Sequence, residues 1–160
     1  MRCTAFALVF ATFAWPVSAL STSQGTLTVQ RMATDLDAPW ALGFLPGNDF
    51  LITERDGRLW HYSGNVRQEV AGLPRVQAKG QGGLLDVLVP GDFAKTREIF
   101  FTYAKRQRGG SGTAVGKGKL NATGDALTDV QTIFEIAPVS SGGRHFGSRL
   151  VEAPNGMLFV

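Results

Sequence analysis

The chain has 160 residues, 44% of them apolar, which is room for one domain with an ordinary core. Charged residues make up 18%, too few for a disordered or coiled-coil chain. The formal charge of +3 is weak and scattered, its one basic cluster Lys105-Arg106-Gln107-Arg108 reads as a solvated loop, and no nucleic-acid partner is expected.

Residues 1–19 read as an export signal. Met1-Arg2-Cys3 is a short positive start, Thr4 to Trp15 is an apolar run, and Val17-Ser18-Ala19 offers small residues for cleavage after Ala19. The run is too short to span a bilayer, and no later stretch is long and apolar enough, so no membrane span is expected. Cleavage removes Cys3, the only cysteine, and leaves residues 20–160 without disulfides. An exported protein held by its sheets and core alone suits a bacterial periplasm, with secretion the other possibility.

The remainder alternates short apolar strands with glycine- and proline-rich turns. Thr26 to Met32 reads as a first strand, expected to pair with a blade outside this chain. Trp40 to Leu45 runs into the turn Pro46-Gly47-Asn48-Asp49 and then Phe50 to Thr53. Asp56-Gly57 marks a two-residue hairpin turn before Arg58 to Tyr62, and Ser63-Gly64-Asn65 leads into Val66 to Ala71. Leu84 to Val89 repeats the opening pattern with the turn Pro90-Gly91-Asp92, followed by Ile99 to Thr102, Thr113 to Leu120 and Gln131 to Ile136. Gly109-Gly110-Ser111-Gly112 reads as a blade loop. Ser148 to Ala153, the turn Pro154-Asn155-Gly156 and Met157 to Val160 open a third unit.

The turn prolines Pro46, Pro90 and Pro154 lie 44 and 64 residues apart. A repeat of that length built from hairpins, with no 3.6-residue apolar stripe, predicts an all-β fold, a β-propeller of four-stranded antiparallel blades. About two and a half blades are present, whereas propellers close with four to eight. Residues 20–160 are therefore expected to be the N-terminal part of a longer propeller domain, truncated at the C-terminus and inactive alone.

Nine residues before each turn proline stand Asp37, Gln81 and His145. Each precedes the innermost strand of its blade, so the three should gather at one mouth of the channel, where propellers bind small molecules. Gln81 lies in Gly80-Gln81-Gly82-Gly83, where glycines would let backbone approach a flat ligand; the same string also reads as a plain turn. His145 lies in Gly142-Gly143-Arg144-His145-Phe146-Gly147-Ser148-Arg149, and histidine is the usual general base near neutrality. His61 has no such setting and reads as structural or exposed. There is no Gly-x-Ser-x-Gly elbow, and two distant histidines make no zinc site. Asn121-Ala122-Thr123 matches a glycosylation acceptor formally.

Four segments carry a resemblance: Pro39-Trp40-Ala41-Leu42-Gly43-Phe44-Leu45-Pro46, Thr53-Glu54-Arg55-Asp56-Gly57-Arg58-Leu59, Gly80-Gln81-Gly82-Gly83-Leu84-Leu85-Asp86-Val87 and His145-Phe146-Gly147-Ser148-Arg149-Leu150. In this order and spacing the chain resembles the soluble quinoprotein glucose/sorbosone dehydrogenases, most closely the aldose sugar dehydrogenase branch. The resemblance implies a six-bladed propeller with pyrroloquinoline quinone (PQQ) and Ca2+ at the channel mouth, oxidising the C1 hydroxyl of aldoses to lactones and passing electrons to an external acceptor. It makes His145 the catalytic general base and Gln81 a cofactor-binding residue. The calcium ligands and the residues holding the PQQ carboxylates would lie outside this chain, so it assigns no metal ligand here. Two other readings compete: a non-catalytic propeller that binds carbohydrate or protein, and a metal-dependent lactonase-like propeller for which Asp37 is the clear ligand candidate.

Overall fold

The computed structural model describes residues 18–160 and divides them between two compact units, one ending at Asp35 and one running from Leu36 to Val160. Most of the export-signal expectation falls on residues 1–17, outside the described residues.

In the first unit β1 (Ser18–Thr22) and β2 (Gly25–Val29) form an antiparallel hairpin, Ser18 opposite Val29 and Thr22 opposite Gly25. The strand expected over Thr26–Met32 exists but starts at Gly25, ends at Val29, and has residues 18–22 as its partner.

The second unit holds two four-stranded antiparallel sheets, each in sequence order, and a final two-stranded one. The first is β3 (Pro39–Phe44), β4 (Phe50–Glu54), β5 (Leu59–Ser63) and β6 (Val66–Glu69). The second is β7 (Leu84–Leu88), β8 (Glu98–Gln107), β9 (Gly110–Leu120) and β10 (Leu127–Glu135). β11 (Val151–Glu152) and β12 (Leu158–Phe159) pair as the start of a third. These are β-propeller blades, two whole and one begun. Among the described residues helix is confined to the turn Pro46–Asn48 and to α1 (Phe93–Thr96), which fills the longer β7–β8 loop.

The turns follow from their residues. Gly47 and Asn48 both take positive φ in the first turn, a conformation open to Gly and tolerated by Asn. The β4–β5 turn is longer than the expected Asp56-Gly57: Arg55-Asp56-Gly57-Arg58 lies between the strands, closed by Gly57 N–H donating to Glu54 O at 3.0 Å and Glu54 N–H to Arg58 O at 2.8 Å. The β8–β9 turn is only Arg108-Gly109, because Gly110, Ser111 and Gly112, expected in a loop, continue β9 opposite Gln107, Arg106 and Lys105.

The core lies between the two blades. Leu51, Leu59 and Val70 of the first pack with Leu84, Val87, Ile99, Phe101, Tyr103, Leu120 and Leu127 of the second. Burying each large side chain contributes roughly 1.5–3 kcal/mol.

Polar side chains cross the same interface. Thr53 Oγ1 accepts from Ala41 N–H at 3.0 Å and donates to Leu85 O at 2.6 Å, joining the innermost strands of successive blades. Thr102 repeats the device, accepting from Asp86 N–H at 2.9 Å and donating to Ser148 O at 3.0 Å. The buried Asp86 carboxylate accepts from Leu150 N–H at 2.6 Å and from Arg149 Nη1 at 3.1 Å. Away from the inner strands, buried His61 places Nδ1 3.1 Å from Gly124 O and Nε2 3.3 Å from Asp49 Oδ2, which fits its structural reading. Asn121 serves the loop that carries Gly124: its side-chain oxygen accepts from Asp125 N–H at 3.0 Å and Ala126 N–H at 3.2 Å.

Replacing Asp86 by Ala leaves Leu150 N–H buried without an acceptor. We expect a stability loss of about 1–3 kcal/mol, read as a lower urea midpoint for Asp86→Ala than for wild type. Hydrogen bonds from Thr123 and Asn121 hold the Asp125 carboxyl below its ordinary value of 3.8. A depressed carboxylate contributes stability above that value and loses it as pH falls through the folded pKa. The Gly124 and Asp125 amides are therefore expected to lose exchange protection only below about pH 4 in wild type, and to lose this acid step in Asp125→Asn.

Candidate functional site

The loops leading into the three blades are tied in series. Arg55, in the first β4–β5 turn, donates its N–H to Ala38 O at 3.1 Å. Its own carbonyl accepts from Leu84 N–H at 3.0 Å, and its Nη1 donates to Gly80 O at 3.0 Å. Gln81 N–H then donates to Gly143 O at 2.9 Å, and Gln81 Oε1 accepts from His145 N–H at 2.9 Å. Two of the three positions chosen from the repeat, Gln81 and His145, are thus in direct contact.

The third, Asp37, shares the lead-in of blade one but faces elsewhere. Its N–H donates to Glu54 Oε1 at 2.7 Å, and its Oδ2 lies 3.5 Å from Arg58 Nη2. Fully buried Glu54 also sits 3.1 Å from Arg58 Nε, a charge contact without hydrogen-bond alignment. Arg58 is held more firmly protonated than usual, first by its bond to Asp56 and then by the neighbouring carboxylates. Asp37 belongs to this charged group, and among the described residues no hydrogen bond or ion pair joins it to Gln81 or His145.

Protein packing accounts for the glycines of Gly80-Gln81-Gly82-Gly83. A Cβ at Gly80 would meet Gly143 O at 2.4 Å, at Gly82 the Phe146 ring at 2.9 Å, and at Gly83 Arg55 O at 2.1 Å. The close approach that sequence assigned to a flat ligand is made by the protein's own backbone and by Phe146. That ring is buried with Leu85 and Ala104, and Thr113 Oγ1 donates to the Phe146 carbonyl. Phe146 and Arg55 are the positioning residues that the repeat did not single out. Both stood in recognisable segments, but no spacing rule reveals which neighbour a buried ring or a turn carbonyl will meet.

His145 is exposed and held at φ +61°, the left-handed region, between Gly143 at +65° and Gly147 at +64°. A non-glycine residue there costs of order 1–3 kcal/mol and persists only where its surroundings impose it. The surroundings here are the Gln81 amide on one side and the buried Phe146 on the other. Next to His145 is a recess of about 50 Å³ lined also by Thr113, Ile136 and Pro138, large enough for one or two waters.

The available donors suit an acceptor-rich ligand. Gln81 spends its oxygen on His145, which leaves its Nε2 as the remaining donor, and exposed Arg144 is adjacent to His145 in the chain. Arg149 is committed to Asp86. No group of three or more His, Cys, Asp or Glu residues poised for a metal occurs among the described residues.

Propeller blades with a polar, glycine-lined site at the start of their innermost strands define the structural class. The family model for glucose/sorbosone dehydrogenases matches residues 36–160. The chain is 44% identical over 147 residues to "Aldose sugar dehydrogenase YliI" of Escherichia coli K12, covering 89% of the chain and 40% of that protein. The soluble aldose sugar dehydrogenase of E. coli in its apo form superposes with a TM-score of 0.69 at 48% identity, over 72% of the chain and 35% of that structure. The PQQ-bound aldose sugar dehydrogenase of Streptomyces coelicolor gives a TM-score of 0.71 at 25% identity, over 81% of the chain and 39% of that structure. The chain belongs to the glucose/sorbosone dehydrogenase family. It spans about 40% of the length of the E. coli protein and 37% of a second curated relative, from Synechocystis.

Gln81→Ala is expected to speed hydrogen exchange at the His145 amide by roughly 2- to 10-fold, the worth of one ordinary hydrogen bond. Amide exchange of the variant checks it.

Proposed function

We propose that the protein is a periplasmic or secreted oxidoreductase, exported by residues 1–19, that oxidises the C1 hydroxyl of an aldose to the lactone with PQQ and passes the electrons to an external acceptor. The observation that carries this reading is the Gln81–His145 contact, within the region that matches the family. The donor set fits the cofactor on one side. Gln81 Nε2 would donate to it, and Arg144 is placed to add charge to a carboxylate. Calcium finds no ligand group among the described residues, and its ligands would come from elsewhere in the full-length protein.

When bound, PQQ supplies a carbonyl carbon that accepts a hydride. His145 would take the proton of the anomeric hydroxyl as the C1–H bond gives up its electron pair, so that C1 becomes the lactone carbonyl. The imposed backbone at His145 fixes where its ring begins, and the Gln81 bond holds the base and the cofactor contact in one unit. Orientation of this kind is what the protein contributes when the cofactor carries the redox chemistry.

The experiment is dye-linked glucose oxidation by full-length wild type, His145→Ala and Gln81→Ala, with PQQ and calcium added. His145→Ala is expected to lose about 10²–10⁴ in turnover while still binding PQQ. Gln81→Ala should retain cofactor less well and lose less rate at saturating PQQ. Near-normal turnover in His145→Ala would refute the base assignment and put the base elsewhere in the protein; no glucose oxidation by wild type would favour a non-catalytic sugar- or protein-binding propeller.

A further inference from the structure

Beside the candidate site a cleft of about 390 Å³ opens next to the β8–β9 turn, within the range of small-molecule sites. It shares Ser111 and Ser140 with the recess at His145, and its wall includes Gly143, whose carbonyl accepts from Gln81. Ser111 and Ser140 are joined by a backbone bridge, N–H to O at 3.0 and 3.1 Å, that ties the strand to the segment preceding His145.

The lining is cationic and contains no carboxylate. Lys79 and Arg106 both face it and are exposed. Neither is in an ion pair among the described residues, although the adjacent Lys105 is bound to Glu135. Gln107 lines the same cleft, with its Nε2 buried and without a hydrogen-bond partner. A buried amide N–H lacking an acceptor is unfavourable, and native proteins retain few of them. Two free cations around one concave surface that carries no carboxylate call for an oxyanion.

We propose that this cleft is an oxyanion subsite for acidic aldoses. It receives the carboxylate of a uronic acid or the phosphate of a sugar phosphate whose reducing end lies at His145. The proposal rests on the dehydrogenase reading for the position of the reducing end. Lys79 and Arg106 supply the charge, and the serine hydroxyls complete a polar surface.

The test is isothermal titration of full-length wild type and the double variant Lys79→Gln/Arg106→Gln with glucose, glucuronate and glucose 6-phosphate, with inorganic phosphate as a competitor. Wild type should bind at least one acidic sugar roughly tenfold more tightly than glucose, with phosphate competing and 0.5 M salt abolishing the preference. The double variant should bind acidic and neutral sugars alike. Which acidic sugar is preferred separates a carboxylate from a phosphate occupant. Equal binding of acidic and neutral sugars by wild type, or a preference that survives in a folded double variant, overturns the subsite. Charge-dependent binding in a protein that oxidises no aldose would instead retain the subsite and overturn the dehydrogenase reading.

Discussion

Each blade is fastened to the next by a buried hydroxyl that both accepts and donates. Thr53 links Ala41 N–H to Leu85 O, and Thr102 links Asp86 N–H to Ser148 O. Apolar burial between the sheets is larger in sum, but it is non-directional and tolerates sliding. A hydroxyl that must satisfy one backbone group on each side fixes register, because a displaced blade leaves buried polar groups unpaired. Asp86 adds a second fastening of the same kind, from its own strand to Leu150 N–H.

The geometry at His145 follows from that constraint. Ser148 and Leu150 are pinned to blade two, so the segment ahead of them must return over the Gly80–Gly83 loop. The space is small enough that only glycine fits against Gly143 O, Phe146 and Arg55 O. The compressed segment takes positive φ at Gly143, His145, Gly147 and Ser148, and the Gln81 amide closes it. The unfavourable backbone at His145 is therefore sustained by blade fastening some distance away, which is how a stable scaffold holds a strained site.

Much of the fold was legible in the sequence because strands and their turns leave local marks. Pro46-Gly47-Asn48 and Pro154-Asn155-Gly156 punctuate hairpins, and the repeated pattern placed nearly every blade strand within a few residues. Counting from the turns also picked out Gln81 and His145, since a repeat fixes equivalent positions without knowledge of contacts. Asp37 satisfied the same count yet joined the charged group of Glu54, Asp56 and Arg58, because equivalence in backbone position does not determine which charges lie nearby. The glycines of Gly80-Gln81-Gly82-Gly83 were visible, but their cause was not, since the atoms they accommodate come from Arg55, Phe146 and Gly143. The threonine fastenings were hidden for the same reason: each joins residues tens of positions apart, and a threonine in a strand carries no local sign of its partner.

Amide hydrogen exchange in full-length wild type and Thr102→Val tests most directly whether blade fastening holds the site. The substitution keeps the side-chain volume and removes only the hydroxyl between Asp86 N–H and Ser148 O. If the account holds, the Asp86, Gln81 and His145 amides all exchange faster in the variant, by roughly 5- to 100-fold, while amides of β4 and β5 are unchanged. Faster exchange confined to Asp86, with Gln81 and His145 as protected as in wild type, would contradict it.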